Sequence, residues 1–104
     1  MEPMKHDDAA NKLAELGNTT RLAIFRYLVK TGHQGATVGQ LQKELEVPGS
    51  TLSHHISRLV WVGLIKQERE SNVLHCLPQY EALTELIDFL QSECCIGVKE
   101  PKSK

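Results

Sequence analysis

The sequence predicts a mainly α-helical fold with one small β-hairpin, in the order helix-helix-helix-helix-hairpin-helix. Apolar residues recur at helical spacing in five segments of the chain. Glycine, proline and short polar residues separate these segments. Two β-prone stretches near residue 70 surround a polar turn, which is typical of a hairpin. At 104 residues the chain corresponds to one domain, because domains contain about 100–200 residues.

The first two helices are defined by the residues at their ends. Residues 7–17 begin with two aspartates, which favour a helix N-terminus, and stop at Gly17. Asn18 or Thr19 can cap the next helix, because a short polar side chain accepts hydrogen bonds from free backbone N–H groups. Apolar residues at helical spacing continue this second helix to about Thr31.

The third and fourth helices are short and lie on either side of a tight turn. Thr37 can cap a helix over residues 38–46. The turn Val47-Pro48-Gly49 interrupts the pattern, and Ser50 is expected to cap the fourth helix, which closes at Gly63. Two short helices joined by such a turn match the helix-turn-helix spacing.

The remaining elements are the hairpin and a last helix. Residues 64–69 and 73–77 are predicted to form two strands, and residues 70–72 have the composition of the turn between them. Pro78 ends the second strand, and a helix follows over about residues 79–94. The complete order predicts a winged helix-turn-helix with an extra helix at each end.

The fourth helix carries short polar side chains on the face opposite its apolar residues. In a helix-turn-helix the second helix enters the major groove of DNA, which is wide enough to admit it. Its donors and acceptors then meet base edges and phosphates, and the tip of the hairpin can reach the neighbouring backbone. The predicted DNA contacts are Thr37, Gln40, Ser50, Thr51, Ser53, His54, Ser57 and Arg58 from the helices, and Lys66, Arg69 and Asn72 from the wing. Trp61 is expected to pack in the core rather than stack on a base.

The net charge of −1 argues for a local DNA-binding patch at most, because nucleic-acid-binding domains are often strongly basic. A winged-helix module that binds another protein and never touches DNA is therefore the alternative. Salt dependence separates the two, since phosphate contacts weaken steeply as salt is added. The sequence offers no convincing Ser/His/Asp set, glycine-rich phosphate loop or paired-carboxylate cleft, so an enzyme is not expected.

Apolar residues of the last and first helices predict a surface for a second copy of the chain. A monomer of this size would leave this stripe partly uncovered, and a homodimer would bury it. Packing of the stripe within one chain is the alternative. The residues are Leu13, Leu16, Leu83, Leu86, Ile87 and Leu90.

Two segments resemble the ArsR/SmtB family of bacterial repressors. LGNTTRLAIFRYL at 16–28 is similar to the family's second helix, and STLSHHISRLVWVGLIKQERE at 50–70 is similar to its recognition helix and first wing strand. The resemblance extends over about residues 9–95. Ser71 stands where the family usually has a glycine, and Cys76 where it often has a tyrosine. The resemblance implies a homodimeric repressor that binds a two-fold symmetric operator and leaves it when an inducer arrives.

The sensing sites of this family imply particular ligands, most of which are missing here. Residues 37–43 lack the Cys-x-Cys cluster of the arsenic, cadmium or lead type. Asp88 lies on the last helix, but no histidine follows His75 to complete a zinc or nickel site. Residues 19–31 contain no cysteine of the redox type.

The vicinal pair Cys94 and Cys95 remains as a candidate inducer site. Some family members bind arsenite at such a C-terminal pair with a third cysteine after it, whereas this chain has only Cys76 besides the pair. Thiolates bind soft thiophilic ions such as arsenite. Neighbouring residues of a helix diverge by about 100°, so chelation requires the helix end to unwind. A thiol redox switch and two inert thiols are the alternatives, and no cofactor is certain.

The two ends of the chain are predicted to be irregular. Residues 1–6 are expected to be disordered and residues 97–104 to form a flexible tail around a domain over residues 7–96. The first residues are polar and show no signal peptide, and no apolar run is long enough to span a bilayer. A cytoplasmic protein without a membrane partner is expected.

Overall fold

The computed structural model describes residues 3–98 and confirms the predicted winged helix-turn-helix. Five α-helices and three β-strands occur within this range, together with a 3-10 turn at Gly32–Gln34. The elements are α1 (His6–Leu16), α2 (Thr19–Thr31), β1 (Ala36–Thr37), α3 (Val38–Leu45), α4 (Gly49–Trp61), β2 (Ile65–Glu70), β3 (Val73–Pro78) and α5 (Tyr80–Gln91).

Two of the predicted helix caps are present, and a third is wrong. The side chain of Asn18 accepts a hydrogen bond from the backbone N–H of Arg21 at the start of α2. Thr37 and Gln40 form a reciprocal capping box at the start of α3. Ser50 does not cap α4, because this helix already begins at Gly49 and has no side-chain cap. The Ser50 hydroxyl is therefore not used in capping.

The hairpin belongs to a three-stranded antiparallel sheet of order β1-β3-β2. Its turn contains only two residues, since Glu70 pairs with Val73. Ser71, in the first turn position, adopts a φ of 57°, which glycine accepts more easily than other residues. The two-residue strand β1, which the sequence pattern did not predict, pairs Ala36 with Cys76 on the other edge of β3.

The core lies between α2, α4 and the sheet. Its members come from α2, α3, α4, the strands and the turn between α4 and β2, and each is at most 9% exposed: Ile24, Phe25, Leu28, Ala36, Leu41, Leu52, Ile56, Leu59, Val62, Leu64, Ile65 and Cys76. The hydroxyl of Tyr80 donates to the carbonyl oxygen of Val29, which ties the start of α5 to α2. Burial of the apolar face of α4 therefore directs the opposite face of this helix to solvent.

The helices at the two ends have boundaries that differ from the predicted ones. α1 begins at His6, inside the stretch expected to be disordered, and α5 ends at Gln91 rather than near Cys94. Residues 91–98 are all exposed, so no packing supports another helical turn there. The predictions for residues 1–2 and 99–104 lie outside the described residues. Within residues 3–98, no helix has the length and apolar character needed to cross a bilayer.

Candidate nucleic-acid interface

The outer face of α4 is the centre of the candidate interface. Leu52, Ile56 and Leu59 are at most 2% exposed and hold one face of the helix in the core. Helical spacing therefore places Ser50, His54, Ser57 and Trp61 on the opposite face, and all four are exposed. Ser53 lies at one side of this stripe and is also exposed.

Trp61 extends the same stripe by one turn, contrary to its expected place in the core. Its side chain is 78% exposed. The sequence suggested packing because tryptophan is usually well buried, but position 61 follows the exposed stripe of α4 and not its apolar one.

The N-terminus of α4 has free backbone donors. Its N-cap is Pro48, its first turn contains no acidic residue, and no side chain caps it. Ser50 and Thr51 belong to this first turn, and both are exposed. Free N–H groups and the helix dipole favour an anion such as a phosphate at this position.

Thr37 and Gln40, two of the residues predicted to contact DNA, form hydrogen bonds with each other at the start of α3. The Thr37 hydroxyl accepts from the Gln40 backbone N–H at 3.1 Å, and the Gln40 side-chain oxygen accepts from the Thr37 N–H at 2.8 Å. The side-chain amide nitrogen of Gln40 takes no part in this box. Gln40 is exposed and Thr37 half-buried, so Gln40 is the more accessible of these two predicted contacts.

The three predicted wing residues do not form one basic patch. The Nζ atom of Lys66 lies 3.1 Å from Oε2 of Glu68, and both side chains are exposed. Because side chains alternate along a strand, Lys66 and Arg69 point to opposite faces of β2. Asn72 occupies the second position of the turn. The wing therefore presents separate cations among acidic residues, in agreement with the small net charge of the chain.

Arg58 is engaged by an acidic residue that the sequence pattern did not reveal. Its Nε and Nη2 donate to the two carboxylate oxygens of Glu15 on α1, each at 2.7 Å. Glu15 is 5% exposed, although it reads in the sequence as one more polar residue of α1. Its pKa is lowered, chiefly by the hydrogen bond from Arg58 and against the desolvation that raises it. This carboxylate is therefore ionised at neutral pH.

Arg21 of α2 connects this ion pair to His55, a second residue of α4. Its Nε donates to the backbone oxygen of Glu15 at 2.7 Å and lies 3.2 Å from a carboxylate oxygen of the same residue. Its Nη1 lies 3.0 Å from Nδ1 of His55. Burial lowers the pKa of His55, and the charges of Arg21 and His54 lower it further. His55 is thus neutral at pH 7, and its Nδ1 accepts from Arg21.

The three cysteines fall into two environments. Cys76 is fully buried on β3, as expected for a core residue, and burial raises the pKa of its thiol. Cys94 and Cys95 are exposed beyond the end of α5, with their sulfurs 3.2 Å apart. Cys95 has a φ of 66°. The unwinding that chelation by neighbouring residues requires is therefore already present.

The predicted association surface is exposed only in part. Leu13, Ile87 and Leu90 are 41%, 45% and 57% exposed. Leu16 and Leu83 are half-buried against the core of their own chain. Leu86 is 3% exposed and offers no free surface to a partner, because packing within one chain already covers it.

Comparison with known proteins agrees with this architecture. A family model described as a helix-turn-helix domain matches residues 16–68. An uncharacterized HTH-type transcriptional regulator of Methanocaldococcus jannaschii is 33% identical over 66 residues, which cover 64% of this chain and 72% of the relative. The matched family segment contains α2, α3, α4 and most of β2.

Solved structures extend the similarity over most of the chain. HlyU from Vibrio cholerae superposes with a TM-score of 0.69 and 26% identity, over 88% of this chain and 99% of HlyU. An ArsR-like transcriptional regulator from Rhodococcus sp. RHA1 has a TM-score of 0.73 at 18% identity, over 83% of this chain and 78% of that one, which supports the fold. The chain thus has the fold of ArsR-like regulators and belongs to the helix-turn-helix family of DNA-binding transcriptional regulators, which are not enzymes.

Proposed function

We propose that this regulator is a repressor that binds a two-fold symmetric operator as a homodimer, with α4 in the major groove. The observation that carries the proposal is the polar stripe of Ser50, His54 and Ser57, which lies opposite the buried face of α4. Short donors and acceptors on an exposed helix suit the edges of bases and the phosphates beside them.

The N-terminus of α4 supports this placement despite the net charge of −1. Its first turn has no acidic residue and no side-chain cap, so its N–H groups can donate to a phosphate. A local arrangement of this kind attracts the DNA backbone without a basic surface elsewhere. The wing then adds Lys66, Arg69 and Asn72 as separate contacts on the adjacent backbone or minor groove.

The exposed apolar residues of α1 and α5 support the homodimer. Burial of Leu13, Ile87 and Leu90 against a second copy would remove apolar surface from water. Two-fold symmetry would then set the two α4 helices one helical turn of DNA apart, about 34 Å. The operator is accordingly expected to be an inverted repeat.

A carboxylate on the outer stripe of α4 is expected to abolish specific DNA binding. In His54→Glu the new charge would face phosphates, and like-charge contacts at an interface cost several kcal/mol, or about 100-fold or more in affinity. Genomic fragments selected by the wild-type protein provide the operator. Fluorescence anisotropy with that operator then measures both proteins over a series of salt concentrations.

Ala23→Glu is the matched control, since it adds the same charge at an exposed position of α2 rather than on the outer face of α4. It should bind the operator as the wild type does. Selection of no DNA sequence, or an affinity that does not fall with added salt, would contradict the proposal and favour a winged-helix module that binds another protein.

We further propose that Cys94 and Cys95 form the inducer site and take a trivalent arsenical. Their sulfurs are exposed and 3.2 Å apart, beyond the end of α5. Arsenite, As(OH)₃, would form two As–S bonds with the loss of two water molecules, and its third hydroxyl would remain on arsenic without any change of oxidation state. Cys76 is buried and supplies no third sulfur. The arsenic would therefore be bound by the two sulfurs of Cys94 and Cys95 and by its own remaining hydroxyl.

Substitution of both exposed thiols is expected to remove arsenite-driven release of DNA. Cys94→Ser with Cys95→Ser should bind the operator normally and stay bound at arsenite concentrations that release the wild type, with a phosphine as reductant. Cys76→Ala is the control and should release like the wild type. Release that persists in the double variant places the inducer site elsewhere, and release by an oxidant alone indicates a thiol redox switch.

A further inference from the structure

We infer that Glu15 of α1 is a positioning residue for DNA recognition, which orients the guanidinium of Arg58 so that its other edge meets the DNA backbone. The inference rests on the proposed contact between α4 and DNA. It assigns a part in that contact to a buried acidic residue that does not itself touch DNA.

The first support is the way in which Glu15 binds Arg58. The carboxylate uses Nε and one N–H of Nη2, and three of the five guanidinium N–H groups remain for another partner. The Arg58 side chain is 47% exposed, whereas that of Glu15 is 6% exposed. The pair is thus covered on the Glu15 side and open to solvent on the Arg58 side.

The second support is the charge of the whole cluster. Glu15 pairs with Arg21 as well as with Arg58, and the adjacent His55 is neutral. One carboxylate and two guanidiniums leave a net charge of +1, so the cluster attracts a phosphate although it contains an acid. Without a second arginine, the carboxylate would cancel the charge of Arg58.

The third support is that the cluster joins three helices. Glu15 lies on α1, Arg21 on α2, and His55 and Arg58 on α4. Arg21 is held by the backbone oxygen of Glu15 and by Nδ1 of His55. An arginine oriented before binding loses less conformational freedom when DNA arrives, which favours affinity.

The substitution Glu15→Gln tests the inference, because the two explanations predict opposite changes in operator affinity. Removal of a negative charge near DNA would by charge alone tighten binding, but loss of the orienting carboxylate is expected to weaken operator binding about 5–10-fold. The slope of affinity against salt should stay unchanged, because Arg58 still reaches the phosphate. Arg58→Ala should reduce that slope by about one. In the Arg58→Ala background, Glu15→Gln should cause no further weakening.

Arg58→Lys provides a second variant in case Glu15→Gln does not fold, which thermal unfolding of each protein reveals. Lysine keeps the charge but cannot pair with two oxygens side by side, so weaker binding with an unchanged salt slope is expected. Equal or tighter binding by Glu15→Gln, or wild-type affinity of Arg58→Lys, would overturn the inference while leaving the proposed function intact. A wild-type protein that binds no DNA would end both.

Discussion

Replacement of both Ile87 and Leu90 by aspartate is expected to convert the proposed dimer into a monomer and to reduce operator affinity about 100-fold or more. The two side chains are 45% and 57% exposed in one chain, so burial of the part of each that is still exposed contributes about 1–1.5 kcal/mol. In a two-fold interface each substitution occurs twice, and each new carboxylate would have to be buried against the partner without a counter-charge. A monomer binds one half-site and loses the contribution of the second. Sedimentation velocity and anisotropy with the operator measure the two effects.

Val73→Asp is the matched control for this pair. Val73 is 43% exposed and lies on β3 in the hairpin, not on α1 or α5, so this variant should sediment as the wild type does. Leu86 is unsuitable for the test, because a carboxylate at a position that is 3% exposed would unfold the chain. A double variant of Ile87 and Leu90 that still sediments as a dimer would show that the copies associate through another face.

Gly35→Ala is expected to lower the free energy of unfolding by about 2–6 kcal/mol. Gly35 has a φ of 67° and a ψ of −157°, and a Cβ built on it would overlap the carbonyl oxygen of Cys76. This backbone conformation is open almost only to glycine and costs a side chain roughly 1–3 kcal/mol, and displacement of a packed neighbour costs roughly 1–3 kcal/mol. The melting temperature should fall by roughly 10 °C or more, since 1 kcal/mol corresponds to about 4–8 °C in a domain of 60–100 residues.

Gly32→Ala separates the two causes of this effect. Gly32 has a similar φ of 78°, but a Cβ there would meet nothing within 4 Å. Its substitution should therefore lower stability only by the roughly 1–3 kcal/mol that this backbone conformation costs a side chain. If both variants lost the same stability in calorimetry, contact of Gly35 with β3 would play no part.

Most of the local structure is predictable because the signals are themselves local. Asn18 and Thr37 cap the helices that follow them, since a cap depends on residues within one helical turn. The apolar spacing of α4 identifies Leu52, Ile56 and Leu59 as its buried face. The predicted outer stripe of Ser50, His54 and Ser57 follows from the same spacing.

The predictions from sequence are wrong or incomplete where contacts between distant residues determine the local structure or the burial of a side chain. β1 has only two residues, and its strand character comes from pairing with Cys76, forty positions further along the chain. α5 ends at Gln91 although its sequence suggests a longer helix, because the exposed residues that follow have nothing to pack against. Leu86 looked available to a partner, but the chain covers it.

The order of the five helices and the hairpin, the caps of α2 and α3 and the outward polar face of α4 are determined by the sequence alone, since helical periodicity and capping act over a few residues. The tertiary structure alone decided that Arg58 is held by Glu15, 43 residues away, and that the thiols of Cys94 and Cys95 lie together beyond a helix end. Ion pairs and helix ends of this kind depend on which surfaces pack against each other in the folded chain. The spacing of residues along the sequence does not specify that packing directly.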